Sequence, residues 1–438
     1  MSIVNLNTVV TYASEPSNLQ QSGALISLGA TTLATNAYSY CGNLAAVQAL
    51  IGTGATGNGS EILRMATTFF AQGNGVGLYV LELGAEAAAG DDIPALQTWI
   101  MNNPGIFYAF LTPEVWDAVD GVQSVTITNG GSGYTTTTVA ATFTAPTSGT
   151  TATGYGVVTG GSITSFVITN PGSGYTTAPT VTFVAPATGT TATGTAVLGG
   201  ALAGIANNYN SPNSQVYFFV TTTQTTVTNY AGNKAVFAVV PSPTALSTEF
   251  QCAAPFEAWL LNNATQTMMQ PMSFRYMYGV TPWPASGQGS AIATIKAANG
   301  NIIESASQAG ISTAMIADGT VMSGAQAMSW YGLNFFQIQV QRALAAAVIN
   351  GSNSQPPLLY DFHGVNVLAG VANSVATQSV AIKAAAAITI SATPFATYIE
   401  DNPDDYAAGI YGGLSALFTA QQGFLTINFN IDAVQFAG

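Results

Sequence analysis

The sequence predicts an α/β chain, α+β overall. It would be built on a mostly parallel sheet with flanking helices, with an inserted all-β repeat domain and extended N- and C-terminal β arms. Three observations lead there. Apolar runs of strand length alternate with amphipathic runs of helix length on both sides of residue 120, the text of strand–helix–strand units. Residues 122–200 repeat themselves. The last sixteen residues alternate apolar and polar side chains, with no later segment in the chain to pair with.

Taken in order, residues 1–22 read as an extended arm. Val4, Leu6, Val10 and Tyr12 share one parity, and Asn5, Asn7 and Thr11 the other, a weak strand pattern. Residues 23–40 are small and β-prone. Residues 44–51 and 61–72 predict helices, the second with Ile62, Ala66, Phe69 and Phe70 on its apolar face. Strand 76–83, helix 94–102 and strand 106–111 follow. The series resumes with strands 216–220 and 235–240 and helix 249–262.

Between these lies the repeat. Asn-Gly-Gly-Ser-Gly-Tyr134 answers to Asn-Pro-Gly-Ser-Gly-Tyr175, Phe-Thr-Ala-Pro146 to Phe-Val-Ala-Pro186, and Gly-Thr-Thr-Ala-Thr-Gly154 to Gly-Thr-Thr-Ala-Thr-Gly194. The period is 41 at the tyrosines and 40 at the prolines, so one residue is lost between them. Threonine and valine favour strands, and glycine and proline punctuate them. The segment predicts a small all-β insertion looped out of the α/β domain.

After it, 267–279 is β-prone, 291–299 and 324–350 read as helices, and 365–387 is mostly helical. Residues 388–399 read as a strand interrupted by Pro394. Residues 404–421 predict a helix capped by Asn402 or Asp401 ahead of Pro403. The chain closes on Leu425, Ile427, Phe429 and Ile431, alternating with Thr426, Asn428, Asn430 and Asp432. The expected domains are an arm at 1–22, an α/β domain at 23–120 with 204–265, the insertion at 121–203, a C-terminal α+β domain at 266–422, and a terminal strand at 423–438.

Composition narrows the function. Charged residues make up 6% of 438, against roughly a quarter in ordinary soluble domains. Net charge is −13, and the six basic residues are scattered, so phosphate-backbone recognition is excluded and no nucleic-acid partner is expected. No apolar run reaches the roughly eighteen residues of a spanning helix, and no basic stretch followed by an apolar core opens the chain, so neither membrane insertion nor a secretory signal is expected. Cys41 and Cys252 are too few for a disulfide framework and read as small buried residues. A surface this poor in charge fits a protein covered by copies of itself. Two β-prone ends with unpaired backbone groups would find their partners on other chains.

Chemical motifs are sparse. Gly52-Thr-Gly-Ala-Thr-Gly57 matches the dinucleotide fingerprint, with Glu82 ending the next strand at the distance of a ribose contact. The fingerprint needs a strand before its first glycine, and residues 44–51 read as helix. His363, the one histidine, lies two residues from Asp361 and reads as structural. Glu400, Asp401, Asp404 and Asp405 match no calcium loop and read as acids at a helix N-terminus. Arg342 and Lys383 are expected to pair with acids. No catalytic, cofactor-binding or metal-binding residues are assigned, and no cofactor is expected.

The run from Ala45 to Leu83 has a short helix, Ile51-Gly52, a glycine-rich turn, Ile62-Leu-Arg-Met-Ala-Thr-Thr-Phe-Phe-Ala-Gln-Gly73, then Gly77-Leu-Tyr-Val-Leu-Glu-Leu83. It resembles the opening of sheath proteins from contractile bacteriophage tails and related injection machines. Phe107-Tyr-Ala-Phe-Leu-Thr-Pro-Glu114 is similar to the strand that follows there. The helix carrying Gly332, Phe335, Phe336 and Arg342, and the ending Gly423-Phe-Leu-Thr-Ile-Asn-Phe-Asn-Ile431, also look like that family. The likeness spans about 1–120 and 203–438; the repeat insertion and the scarcity of charge depart from it.

The resemblance implies a non-enzymatic subunit of a contractile tail in the virion, assembled in the host cytoplasm. Six-membered rings would stack helically around a tail tube, with tube, baseplate and terminator proteins as partners. The terminal arms, through Val4, Leu6, Val10, Tyr12, Leu425, Ile427, Phe429 and Ile431, would add strands to neighbouring subunits. Contraction would drive the tube through the host envelope. Two other readings remain at this stage: an NAD(P)-dependent enzyme using Gly52–Gly57, and a tail-fibre or adhesin-like protein in which residues 122–200 bind.

Overall fold

The computed structural model describes residues 18–52, 55–73, 75–262, 268–284, 286–305 and 313–425. These fall into two compact units. Of the described residues, one holds those before Met268 together with Tyr276–Ala327; the other holds Met268–Arg275 and those from Met328 onward.

The first unit is organised by a six-stranded sheet. Its strands are β1 (Gly23–Ser27), β2 (Tyr38–Cys41), β3 (Leu78–Glu82), β4 (Ala109–Leu111), β11 (Tyr217–Thr221) and β12 (Val236–Val239). They lie in the order β12-β11-β4-β1-β3-β2. Every pairing is parallel except β2 with β3. Strands β1, β11 and β12 are buried at every position, because helices cover both faces of a parallel sheet and leave no polar side to alternate with. Those helices are α1 (Leu44–Ile51), α2 (Asn58–Phe70), α3 (Ile93–Asn102), α4 (Ala201–Asn207) and α5 (Ala253–Leu261). Asn43 caps α1 by accepting from the Ala46 N–H at 2.8 Å. The core between layers is aromatic. Tyr108, Tyr217 and Trp259 pack with ring centres 4.8 to 5.9 Å apart, and Phe219 stacks on Phe237 at 5.1 Å.

Residues 276–327, expected with the C-terminal domain, belong instead to this first unit. The reason is a buried amide. Asn301 donates to the carbonyls of Ala238 and Thr320 and accepts from the Thr320 N–H, and its backbone bridges Val239 in β12. Helix α6 (Gly289–Ala297) and the hairpin of β13 (Ile303–Ser305) with β14 (Ala314–Ile316) are fastened to that sheet edge. The β-prone text at 267–279 forms no named strand among the described residues; Tyr276 makes a single bridge to Met315.

The repeat builds six strands: β5 (Asp120–Asn129), β6 (Thr138–Phe143), β7 (Thr153–Thr159), β8 (Ser162–Asn170), β9 (Val181–Phe183) and β10 (Thr193–Gly200). They form a β8-β7-β6-β9 sheet and a β10-β5 pair, joined by the Thr180–Thr195 bridge. The halves interlock. The Tyr134 hydroxyl accepts the Ala192 N–H at 2.9 Å, and the Tyr175 hydroxyl accepts the Ala152 N–H at 2.8 Å. Ser132 N–H reaches the Thr190 carbonyl and Ser173 N–H the Thr150 carbonyl, both at 2.9 Å. Each copy's turn thus closes the other copy's loop. A Cβ at Gly133 or Gly174 would strike the Thr188 or Ser148 carbonyl, which is why both positions need glycine.

The insertion is not merely looped out. The Asn208 side chain donates to the Ile168 carbonyl at 2.7 Å and accepts its N–H at 3.1 Å, taking the place of a strand partner on β8. Phe143, Ala152, Ile168 and Ala196 join the same buried cluster as Ile205, Phe218 and Trp116. Both cysteines are buried and free, as expected of small core residues.

The second unit contains α7 (Ala327–Ser352), α8 (Phe362–Ala381), β15 (Ala385–Ala392), α9 (Phe395–Asp401), α10 (Pro403–Ala407) and β16 (Leu414–Ala420). Gly332 lets α7 approach β15, since a Cβ there would collide with the Ala384 carbonyl. The helix expected over 404–421 is wrong beyond its first turn. Gly409, at φ 73°, ends α10, and Gly412 and Gly413 precede a strand. The sheet also begins at Ala385, inside text expected to be helical.

Candidate assembly surface

Strands β15 and β16 pair antiparallel, from Ala385 opposite Ala420 to Ala392 opposite Leu414, and they form a sheet of two. Alternation sorts their side chains. Ile388, Ile390 and Phe418 face inward, onto Phe336, Val375 and Ala376. The Phe336 and Phe418 rings lie 6.1 Å apart. Leu417, opposite Thr389, faces out and is 72% exposed. A lone two-stranded ribbon is marginal in water, and this one survives by packing one face on helices. Among the described residues neither long edge has a further strand partner, so both present backbone N–H and C=O groups at strand spacing. Chemically, such an edge adds an extended chain by main-chain hydrogen bonds, with side-chain pockets on alternate positions.

The described residues end five positions past β16, at Leu425. Leu425 is 42% exposed and Phe424 78%. Of the residues predicted to pair between subunits, Leu425 alone is described. Val4, Leu6, Val10, Tyr12, Ile427, Phe429 and Ile431 lie outside the described residues, so the structure brings none of these together. Strand β16 itself is not anticipated by the sequence reading, which expects helix there. The signal for it was the glycine cluster at 409–413.

The dinucleotide reading fails on geometry. What precedes Gly52 is helix α1; Gly52 is its cap, with φ 84° and its N–H on the Gln48 carbonyl at 3.0 Å. Thr53 and Gly54 lie outside the described residues. The start of α2 is taken by its own chain: Asn58 accepts the Leu28 N–H and donates to Glu61, and Glu61 accepts the Glu114 N–H at 2.7 Å. Glu82 is engaged as well. Its carboxylate accepts from the Ser27 and Thr31 hydroxyls at 2.7 and 2.8 Å and from the N–H groups of Gly29, Thr31 and Gly84. Burial acts to raise its pKa, but the hydrogen bonds from Ser27, Thr31, Gly29 and Gly84 outweigh it and hold the group below the ordinary range. Glu82 organises the 27–31 loop and has no lone pair to spare for a ribose.

Asp361 caps α8 through the Gly364 N–H at 2.8 Å, and His363 is exposed in the first turn. Asp404 and Asp405 lie in the first turn of α10, and Asp405 accepts the Tyr398 hydroxyl at 2.6 Å. Asn402 holds the cap position, yet its side chain turns back to the Tyr398 carbonyl. Among the described residues no group of His, Cys, Asp and Glu is arranged to hold a metal. Arg342 and Lys383 are exposed and make no ion pair among the described residues, against expectation; ion pairs do form between Arg64 and Glu114 and between Lys296 and both Glu304 and Asp318. Among the described residues no helix is long and apolar enough to cross a membrane.

No protein-family model matches the chain, and no curated protein matches it by sequence. Solved structures do. A chain in the six-fold symmetrised cryo-EM structure of the anti-feeding prophage baseplate aligns over 99% of both chains, at a TM-score of 0.56 and 9% identity. The likeness is one of fold. Two further matches are a chain of that baseplate in its contracted state, at TM-score 0.47 and 12% identity over 98% of each chain, and a sheath tail protein from Listeria innocua. The latter aligns at TM-score 0.39 and 10% identity over 92% of this chain and 96% of the other.

Proposed function

We propose that this chain is a structural subunit of a contractile phage tail sheath in the virion. It polymerises as stacked six-membered rings around a tail tube and contracts to drive that tube through the host envelope. The observation that carries the reading is the full-length fold likeness to a chain of a six-fold symmetrised prophage baseplate. The open-edged β15–β16 ribbon supports it. In this reading Leu425, Ile427, Phe429 and Ile431 of one copy, and Val4, Leu6, Val10 and Tyr12 of another, add strands to that ribbon and link the rings. The role is mechanical rather than catalytic and needs no cofactor. The partners are other copies, the tube protein, and baseplate and terminator proteins, with assembly in the host cytoplasm. Residues 121–203 act as a module of their own, and 1–22 and 423–438 as arms.

Deleting residues 425–438 is expected to leave a folded chain, with unchanged circular dichroism, that forms neither rings nor tubes by negative-stain microscopy. Normal tubes from the truncated chain would refute strand donation by the C-terminal arm.

A further inference from the structure

Each repeat of the insertion leaves a cleft open to solvent. The first, about 320 Å³, lies between Tyr134-Thr135-Thr136 and the Pro186 corner. The second, about 250 Å³, lies between Tyr175-Thr176-Thr177 and the Pro146 corner. The two are counterparts under the 41- and 40-residue spacing of the repeat. Duplication has preserved the cavity along with the strands, and the interlocked turns Gly133–Tyr134 and Gly174–Tyr175 brace both.

Both are uncharged, the first richer in apolar side chains (Val139, Ala140, Val184) and the second in threonine. No charged residue occurs from Val122 to Asn233, so a charged ligand would meet no counter-charge. Thr135, Thr176 and Thr177 are exposed, and their hydroxyls make no hydrogen bond among the described residues. A hydroxyl donates once and accepts twice, so the lining suits a ligand with the same mixed capacity. The proline and alanine corners offer apolar surface for C–H groups. Neutral, hydroxyl-rich and apolar on alternate faces describes an uncharged saccharide.

We propose that the two clefts form a duplicated binding site for a neutral glycan. One open cleft of this size binds weakly. Two on one rigid module gain by effective concentration when a repeating polymer spans both, and ring assembly multiplies the gain.

The test is retention of the full-length chain, kept unpolymerised, on an array of neutral, sialylated and sulfated glycans. Soluble monosaccharide serves as competitor, to separate polymer binding from capture of a single sugar. Neutral polysaccharides are expected to retain the chain, with the monosaccharide competing only at far higher concentration. Thr136→Trp or Thr177→Trp, each filling one cleft from an exposed position, is expected to weaken retention about a hundredfold by removing bivalency. The double variant is expected to abolish retention while melting as the parent does. If the double variant melts lower, Ala187→Trp with Thr147→Trp blocks the clefts from the opposite wall and gives the same reading. Retention by charged glycans alone, no retention by any neutral glycan, or full retention by a double variant of parental stability would overturn the proposal. The readout needs no polymer, so its failure leaves the sheath reading untouched.

Discussion

Glu82 and Asp92 are two carboxylates in one region with opposite fates. Glu82 receives five hydrogen bonds, and its folded-state pKa is depressed. Its contribution to stability is therefore present above the unfolded carboxylate pKa, about 4.3, and is lost as pH falls through the lower folded value. Glu82→Gln replaces an acceptor with an amide whose NH2 faces donors, and a loss of about 2–4 kcal/mol is expected by chemical denaturation. Asp92 has the reverse sign. Burial, then the charges of Glu86, Asp91 and Glu82, push its pKa up to about 6 from an ordinary value of 3.8. Its Oδ2 is buried without a hydrogen-bond partner among the described residues. The folded state holds a proton that the unfolded state has released between those two values, so stability falls as pH rises from about 4 to about 6. Asp92→Asn is expected to raise the melting temperature at pH 7 and to flatten that slope, read by calorimetry across pH 4 to 7. An unchanged slope would mean another group sets it.

The elements divide by how they signal. The α/β series was legible because strands buried on both faces, such as β11 and β12, leave apolar runs no helix face would produce, and because helices such as α2 carry a clear stripe. The repeat was legible from its Tyr, Phe and Pro positions. What stayed hidden was set by tertiary pairing. Ala385–Ala392 begins with three alanines, which favour helix, and is a strand because β16 pairs with it. β16 was lost because Leu414–Ala420 lies in alanine-rich text, although glycines stand at 409, 412 and 413. The candidate surface was half legible: the apolar–polar alternation of the termini can be read in the sequence, but the open edge exists only once β15 and β16 meet. At this scale the interlock makes a symmetric prediction. Tyr134→Phe and Tyr175→Phe each strip the acceptor from one loop N–H, that of Ala192 or Ala152. Each is expected to cost about 1–3 kcal/mol, and by similar amounts. A large asymmetry in urea midpoints would show that the halves are not equivalent supports.

For the whole molecule, the insertion matters as much to the α/β core as to the surface. Ile168 and Phe143 share a buried cluster with Ile205 and Phe218, and Ala201 opens α4 with its N–H on the Val119 carbonyl. Removing 121–199 would uncover apolar side chains that α4 and the sheet cannot hide alone. The shortened chain is expected to unfold at lower denaturant and to bind a hydrophobic dye; an unaltered midpoint would show the module to be dispensable to the core.

The crossed loops also set a minimum size. One copy of the repeat, folded alone, would own a hook with no eye and an eye with no hook. Two such polypeptides would satisfy each other. The smallest self-sufficient form of this module is therefore two copies, on one chain or on two. A peptide of residues 121–160 should therefore elute as a dimer.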